Sequence, residues 1–502
     1  MNGEPGHRPP PEPAQVHETH SGVVLLYGDR AYKVKKPLRT DFLDFSTTVL
    51  RERACARELE LNRRINPDVY LGVAHLGDPT GGPAEPVLIM RRMPADRRLS
   101  VLLAQPGYST DALTSLIHLL VRFHDESPHR PDIDRTGTAK ALRTRWRSLL
   151  DPLHEAAADI IDPDVLARID RRAMRYLDGR APLLDQRIAD GRIVDGHGDL
   201  LAEDIFELPD GFRVLDCLDF DDRLRYVDRL DDVAFLAMDF DSVGQADLAD
   251  RFVDEYLRES ADPAPASLRD HYIAYRATVR AKVDVIRAGQ GDHTAADRAR
   301  DHLALAERRL ARGTVRLTTI GGLPGTGKST VATELAARTG AVLISSDHVR
   351  NELARVGAVG GHVGQFGAGR YTPANKARVY DELLWRANVL LASGVPVVLD
   401  ASWSDPEQRH RAAALADDVA AELVALRCVC PAELAFQRIR ERRDSESDAT
   451  PQIAEAMAAT NPAWPGAVDI DTAGRLADSV ATACRVWHDS PDLSPEPVRS
   501  PV

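Results

Sequence analysis

The stretch Gly322-Leu323-Pro324-Gly325-Thr326-Gly327-Lys328-Ser329 constrains this chain more than any other, because it fits the pattern G-x-x-x-x-G-K-[ST] of a phosphate-binding loop. The run at 315–320 predicts a buried strand before it, and residues 330–338 predict a helix after it. Its glycines allow backbone N–H groups to converge on phosphate oxygens, and the helix N-terminus adds positive potential. The predicted nucleotide-binding residues are Gly322, Gly325, Thr326, Gly327, Lys328, Ser329 and Thr330.

Two members of this loop, and one later aspartate, predict a metal-dependent nucleotide site. We expect Lys328 to reach the β- and γ-phosphates and the Ser329 hydroxyl to bind Mg²⁺. Asp400 ends a predicted apolar strand at 395–400, where a carboxylate would lie near the metal. The predicted cofactors are therefore ATP and Mg²⁺. A glycine-rich turn without function is the alternative.

Composition narrows the class of protein. The chain has 502 residues, of which 43% are hydrophobic and 28% are charged, and at about 150 residues per domain it predicts two to four domains. The net charge of −13 argues against a nucleic-acid partner. The five cysteines include no C-x-x-C pair, and we find neither a signal-like segment nor an apolar run of membrane length. We expect a cytoplasmic protein without a membrane partner; the oligomeric state stays open.

The predicted organisation follows from proline-rich ends and one polar, helix-forming stretch. Its parts are a disordered N-terminus (1–15), a first domain (16–290), a linker helix (291–313), a P-loop domain (314–487) and a disordered tail (488–502).

The first domain begins with a predicted hairpin around the turn Gly28-Asp29. Lys33 and Lys35 are two positions apart in its second strand and therefore share one face. They are either a solvated basic edge or lysines that bind nucleotide phosphates.

Three carboxylates, Asp199, Asp204 and Asp216, fall on predicted loops at strand ends. Phosphoryl transfer from Mg·ATP needs one carboxylate that engages the acceptor hydroxyl and others that hold the metal. A loop rich in turn-forming aspartates is the alternative.

The residues His197-Gly198-Asp199-Leu200, followed by Leu215-Asp216-Cys217, resemble the signature of the aminoglycoside phosphotransferase-like kinases, relatives of protein kinases. The resemblance covers roughly residues 16–290 and implies a two-lobed kinase-like fold. It implies that Asp199 engages the acceptor hydroxyl and that Asp216 binds the metal. Asp204 stands where the family usually has a metal-binding Asn, and Leu201 where it often has His.

The same resemblance implies roles near the N-terminus. Lys33 corresponds to the lysine that binds phosphates, with Lys35 as the second choice, and Glu58 is the favoured carboxylate partner. Residues 87–94 resemble the hinge over the adenine, and residues 225–236 resemble the start of the helix that braces the catalytic loop.

The second half carries its own candidates for acceptor chemistry. A predicted strand at 341–344 ends just before Asp347, so a parallel sheet would bring Asp347 to the edge that holds Lys328. A carboxylate there can take a hydroxyl proton, and Arg350 lies one helical turn later. Asp347 could instead, or also, cap the following helix. A later arginine-bearing helix precedes a polar stretch at 444–450, which suits a lid, although such arginines are often only solvated.

The pattern G-x-P-G-[ST]-G-K-S-T at 322–330, followed by [SD]-D-x-x-R at 346–350, resembles the small P-loop kinases of the zeta-toxin, gluconate kinase and polynucleotide kinase group. The resemblance covers roughly residues 314–487. It implies that Asp347 is the acceptor base, Arg350 an acceptor-side clamp, and Arg438 and Arg443 the lid arginines.

These features predict an ATP- and Mg²⁺-dependent phosphotransferase for small hydroxylated acceptors, with one site per domain. The predicted fold class is α/β and α+β: a two-lobed kinase-like domain followed by a P-loop domain whose parallel sheet is flanked by helices. Three alternatives remain: a first domain that is a regulatory pseudokinase, a nucleotide switch or ATPase without an acceptor, and a polynucleotide acceptor.

Overall fold

The computed structural model describes residues 14–18, 21–39, 44–156, 160–361, 368–441, 450–459 and 462–489. The predicted disordered ends lie outside these residues except for 14–15 and 488–489. The chain divides into two compact units. The first unit is Met1–Ala141, Arg187–Ala264 and Tyr272–Leu305, and the second is Leu142–Gln186, Pro265–His271 and Ala306–Val502.

This division differs from the single boundary expected from the sequence. Residues 142–186 belong with the P-loop unit. Arg175 and Arg180 show why: their guanidinium groups donate to the carbonyl oxygens of Ala421 and Val419, at 2.8 and 3.0 Å. The predicted linker helix is observed as Ala295–Arg312, with residues in both units.

The first unit begins with an antiparallel sheet of order β1-β2-β3-β5-β4. Its strands are β1 (Gln15–Glu18), β2 (Gly22–Tyr27), β3 (Arg30–Lys35), β4 (Tyr70–Leu76) and β5 (Glu85–Arg91). The predicted hairpin is confirmed as β2 and β3, which place Lys33 opposite Val24. Helix α1 (Thr48–Arg63) packs on β4 and β5, and the Thr47 hydroxyl caps it by accepting from the Leu50 N–H.

The rest of the first unit contains helices and two short antiparallel strand pairs. The pairs are β6 (Ile193–Asp195) with β9 (Tyr226–Asp228), and β7 (Ile205–Leu208) with β8 (Gly211–Val214). Its helices are α2 (Leu99–Leu103), α3 (Leu113–Asp125), α4 (Pro131–Asp134), α8 (Arg229–Ser242) and α9 (Ala246–Glu259). Helix α8 is buried on nearly all sides, which makes it a rigid support for the loop between β6 and β7.

Four helices have residues in both units: α5 (Ala139–Ala156), α7 (Ala181–Ala189), α10 (Ala266–Gly289) and α11 (Ala295–Arg312). Helix α6 (Pro163–Asp178) lies wholly in the second unit.

The second unit contains the predicted parallel sheet, in the order β11-β12-β10-β13-β14. Its strands are β10 (Arg316–Gly321), β11 (Val342–Ser345), β12 (Val397–Asp400), β13 (Glu422–Val429) and β14 (Val468–Asp471). Its other helices are α12 (Lys328–Thr339), α13 (Ser346–Arg355), α14 (Pro373–Ala392), α15 (Pro406–Asp418), α16 (Ala432–Glu441), α17 (Pro451–Ala459) and α18 (Leu476–Asp489). The central strands β10 and β12 are buried along their whole length, as parallel strands covered on both faces require.

The predicted fold class is confirmed by these two architectures. Within the described ranges, no helix is both long enough and apolar enough to span a bilayer.

Candidate functional sites

The phosphate-binding loop connects the central strand β10 to helix α12, which begins at Lys328. Gly322 and Gly325 have φ angles of 143° and 83°. A side chain at Gly322 would come within 2.6 Å of the Cys428 carbonyl oxygen, and one at Gly325 would collide with the Ala435 carbonyl oxygen. These two glycines therefore permit both the backbone conformation and the close packing of the loop.

Asp400 ends β12, which pairs with β10 so that Asp400 lies opposite Ile320. Its side chain is buried, and its Oδ1 has no hydrogen-bond partner among the described residues. Burial raises the pKa of Asp400, while Lys328 and a hydrogen bond from Ser329 act in the opposite direction. An orphaned carboxylate oxygen beside a hydroxyl fits Mg²⁺, which prefers oxygen ligands and often takes only one or two from protein. A cluster of three or more potential metal-ligating side chains is absent from the part of the chain that the structure describes.

The predicted acceptor base lies at the start of α13. Ser345 is the N-cap of this helix, since its hydroxyl accepts from the Asp347 N–H at 3.3 Å. The Asp347 carboxylate is therefore not the cap, and it accepts a hydrogen bond from Arg350 instead. The guanidinium carbon of Arg350 lies 4.6 Å from the ring centre of Tyr371.

A cavity of about 430 Å³ opens beside these residues and the P-loop. Its described lining combines charged, hydroxyl-bearing and apolar groups: Gly322, Pro324, Lys328, Ser346, Asp347, Arg350, Tyr371, Pro373, Lys376, Ala377, Tyr380, Ser402, Ser404, Asp405, Gln408, Ile453 and Met457. It therefore offers a compartment for a small polar molecule next to both Asp347 and Lys328.

A second cavity, of about 350 Å³, borders another side of the same loop and is lined by Gly325, Gly327, Thr330, Val331, Arg438, Thr472, Gly474, Leu476 and Ser479. Arg438 donates to the Thr472 carbonyl oxygen at 2.7 Å, and the Thr472 hydroxyl donates to the Thr326 carbonyl oxygen at 2.6 Å. Arg438 thus lies against the P-loop. Arg443, the other predicted lid arginine, is outside the described residues. Thr472 was missed from the sequence, although it follows β14 at the carboxyl edge of the sheet.

In the first unit, the structure brings together the predicted lysines and carboxylates. Lys33 Nζ lies 2.8 Å from Glu58 Oε1 and 2.8 Å from Asp216 Oδ1. Lys35 Nζ lies 2.7 Å from Glu58 Oε2 and 2.8 Å from Asp219 Oδ2. Burial alone would lower the pKa of Lys33, but the Asp216 and Glu58 carboxylates raise it well above its ordinary value. Asp219 was missed; its only sequence signal is its position soon after the predicted metal-binding Asp216.

The loop that carries Asp199 is held by Asp232 of α8. The Asp232 carboxylate accepts from the backbone N–H groups of His197 and Gly198, at 2.7 and 2.8 Å, and lies 3.0 Å from His124 Nε2. Burial would raise the pKa of Asp232, but the bond with His124 and these donors lower it. Residues 225–236 were expected to brace the catalytic loop. Within them, the Asp232 carboxylate is the group that holds this loop.

The three candidate catalytic carboxylates influence one another. Burial raises the pKa of Asp199 to about 6. Burial, together with the charges of Asp216 and Asp199, raises the pKa of Asp204 well above its ordinary value. Lys33 lowers the pKa of Asp216, whose φ of 62° places a non-glycine residue in the left-handed region. A cation would relieve the repulsion between Asp204 and Asp216, and this pair of carboxylates therefore fits Mg²⁺, which often takes only one or two ligands from protein.

Known proteins with similar sequences cover both units. A family model described as an AAA domain matches residues 317–461. The uncharacterized proteins Rv2004c of Mycobacterium tuberculosis and Mb2027c of Mycobacterium bovis are each 46% identical over 475 residues, which is 95% of this chain and 95% of the relative. This chain belongs to their family. The similarity extends over both units of this chain.

Solved structures are similar to parts of this chain. A gluconokinase from Sinorhizobium meliloti is 18% identical and covers 33% of this chain and 88% of its own, with a TM-score of 0.26. A GDP and kanamycin complex of an aminoglycoside phosphotransferase is 14% identical and covers 60% of this chain and 94% of its own, with a TM-score of 0.40. This chain thus has separate similarities to a gluconokinase and to an aminoglycoside phosphotransferase.

Proposed function

We propose that this protein is a cytoplasmic, ATP- and Mg²⁺-dependent kinase that phosphorylates hydroxyl groups of small molecules, with a transfer site in each unit. The observation that carries the proposal is the P-loop that borders two cavities, one containing Asp347 and Arg350 and the other containing Arg438. A pure nucleotide switch has no need of a carboxylate in a second compartment beside the phosphates.

In the second unit, the loop N–H groups and Lys328 bind the β- and γ-phosphates, and the Arg438 cavity receives the nucleoside. The acceptor occupies the other cavity, where the Asp347 carboxylate takes the proton of its hydroxyl. Arg350 keeps Asp347 oriented through their hydrogen bond. Mg²⁺ held by Asp400 and Ser329 would neutralise charge on the phosphate oxygens.

In the first unit, Lys33 binds the phosphates while Glu58 fixes its position. Asp199 takes the acceptor proton, and its loop is kept in place by Asp232. Asp216 and Asp204 would hold Mg²⁺, whose positive charge would offset the repulsion between the two carboxylates.

The test is transfer of labelled γ-phosphate from ATP to a panel of sugars, aminoglycosides and nucleosides. It compares the full chain with its Asp199→Asn and Asp347→Asn variants. We expect each substitution to abolish transfer to a different acceptor. ATP binding without transfer to any acceptor, by any of the three proteins, would contradict the proposal.

A second candidate function is a regulatory pseudokinase in the first unit, with chemistry in the P-loop unit only. Two departures from the resembled family favour it: Asp204 stands where that family usually has a metal-binding Asn, and Leu201 stands where it often has His. The deciding measurement is Mg·ATP binding by full-length protein carrying Lys328→Ala. Full-length protein is required because the units share interleaved stretches of chain. Loss of all binding in this variant would favour the pseudokinase.

A further inference from the structure

A small cavity in the second unit is formed by helix α6, the loop before β10 and the start of β13. Its volume is about 20 Å³, which is room for one water molecule or one ion of similar size. The described lining includes three arginines, Arg172, Arg175 and Arg180, and one carboxylate, Glu422. We call it the arginine cavity. It shares no described lining residue with the two cavities beside the P-loop.

Arg180 is fully buried, and one edge of its guanidinium group is unused. Its Nη1 donates to the carbonyl oxygens of Gly179 and Val419, at 2.7 and 3.0 Å. Its Nε and Nη2 are buried and have no acceptor within the described ranges. These two N–H groups lie on the same edge of the planar group, an arrangement that can hold one anion through two hydrogen bonds. A buried cation with an unused donor edge is costly to the fold unless something else accepts from it.

The two neighbouring arginines add positive charge that the protein leaves mostly unbalanced. Arg175 donates to the carbonyl oxygen of Ala421 at 2.8 Å, and this oxygen carries no formal charge. Arg172 lies 3.8 Å from Glu307, near the outer limit of an ion pair. The Nε atoms of both arginines are buried and lack an acceptor in the part of the chain that the structure describes.

The other ionisable groups of the lining offset little of this charge. Glu422 lies 3.2 Å from Arg316, which is outside the lining and balances its charge. Burial lowers the pKa of His271 to about 3, so this imidazole is neutral. Burial and the charge of a neighbouring arginine lower the pKa of Arg180, which shows that its positive charge is disfavoured where it lies. The arginine cavity is therefore a buried concentration of positive charge.

We propose that the arginine cavity binds one small inorganic anion of the size of chloride, held by Nε and Nη2 of Arg180 in the field of Arg172 and Arg175. A water molecule would accept the same hydrogen bonds but would leave the positive charges unbalanced. A phosphate group or a nucleotide is too large for the volume. The anion would reinforce the arginine-to-carbonyl bonds that hold residues 142–186 to the P-loop sheet. This site does not depend on the proposed kinase function.

The first test is thermal unfolding of the full chain at constant ionic strength, with sodium chloride replacing sodium methanesulfonate in steps. Methanesulfonate has the same charge as chloride but is too large for the cavity. An ion that binds only the folded state stabilises it, so Tm should rise with chloride. Above the dissociation constant, the gain should be roughly 3 °C for each tenfold increase. A Tm that does not depend on chloride would overturn the inference and leave water as the occupant.

The second test locates the ion by anomalous diffraction from crystals of the full chain grown in sodium bromide. Bromide has the charge of chloride and nearly its size, and it scatters X-rays anomalously. We expect a bromide peak at hydrogen-bond distance from Nε and Nη2 of Arg180. Bromide peaks at surface positions only would contradict the assignment of the site.

Two substitutions test the assigned residues. Arg180→Met should abolish the dependence of Tm on chloride, because it removes both donors. It also removes two bonds to carbonyl oxygens and so lowers stability, and Arg172→Gln is therefore the second variant. Arg172→Gln keeps those bonds and removes one positive charge, so the chloride concentration at which Tm begins to rise should increase at least about threefold.

Arg171→Gln is the matched control, because Arg171 is exposed on the same helix and is not among the described lining residues. Its dependence on chloride should equal that of the unaltered chain. A dependence that survives Arg180→Met, one that Arg172→Gln leaves unchanged, or one that Arg171→Gln alters equally would each show that chloride acts elsewhere on the protein.

Discussion

In the first unit, Lys33 lies 2.8 Å from each of two carboxylates, which come from positions far apart in the chain. In the second unit, Lys328 begins α12 at the end of one continuous glycine-containing loop, and its charge acts on the buried Asp400, whose pKa it lowers against the effect of burial. In our proposal, the first phosphate site is assembled from side chains on a sheet, a helix and a loop. The second is made mostly of consecutive backbone N–H groups.

The difference shows where each site is vulnerable. A site made of mutually dependent side chains responds to pH and to the loss of any partner, because each charge sets the pKa of the others. A backbone site keeps its geometry when one side chain is removed and loses only the charge that the side chain supplied. The predictions below test this contrast.

The largest effect is expected for Lys328→Ala. We expect transfer by the second unit to fall about 100- to 1,000-fold, because a charge aimed at the transferring phosphoryl group is lost. Transfer by the first unit should not change. The measurement is kcat for each acceptor, with Arg338→Ala as control, since Arg338 is on the same helix and pairs only weakly with Glu334, 3.9 Å away. Equal loss of both activities would show that the sites are not independent.

Lys33→Met should lower transfer by the first unit about 100-fold. The protein should stay folded, because Lys35 remains 2.7 Å from Glu58 and keeps that buried carboxylate paired. Lys36→Met is the control, as Lys36 pairs with the exposed Glu18 instead. Normal transfer by the Lys33 variant, or loss of activity in the control, would break the assignment of Lys33 as the phosphate lysine.

The first unit should also depend on pH through Asp199, whose pKa burial raises to about 6. Asp199 accepts a proton only when ionised, so kcat/KM for the first acceptor should fall about tenfold per pH unit below that value. The second acceptor, measured in the same samples, serves as the internal reference. A simultaneous fall of both activities would indicate unfolding instead of titration of Asp199.

How far the sequence predicts these sites depends on how they are built. The P-loop is contiguous, and Asp347 and Asp400 follow strands whose parallel arrangement alone places them at its edge. Thr472 and Lys376 carry no comparable signal, because they reach the same loop and cavity from distant helices and strands. Only the fold reveals these neighbours.

In the first unit, a short motif and the family resemblance that it carries were enough to predict that Lys33, Glu58 and Asp216 belong to one site. The other ion pair of this site, between Lys35 and Asp219, was not predictable from the sequence. It forms because packing brings a loop 184 positions away against the strand that carries Lys35. Residues 142–186 joined the P-loop unit through arginine-to-carbonyl bonds, which leave no periodic trace in the sequence.

The smallest effect is expected for Asp204→Asn, measured as Tm in metal-free protein. Burial and two carboxylates raise the pKa of Asp204 in the folded state, so its ionisation with rising pH opposes folding. Asn removes this cost, and a gain of about 1 kcal/mol would raise Tm by roughly 2–4 °C. The gain should be larger at pH ~8 than at pH ~5, since more of the carboxylate must ionise at the higher pH. The exposed Asp247→Asn is the control and should give no gain. A gain independent of pH, or a loss of stability, would show that Asp204 is not strained by its neighbours, and the two sites would then resemble each other more than we infer.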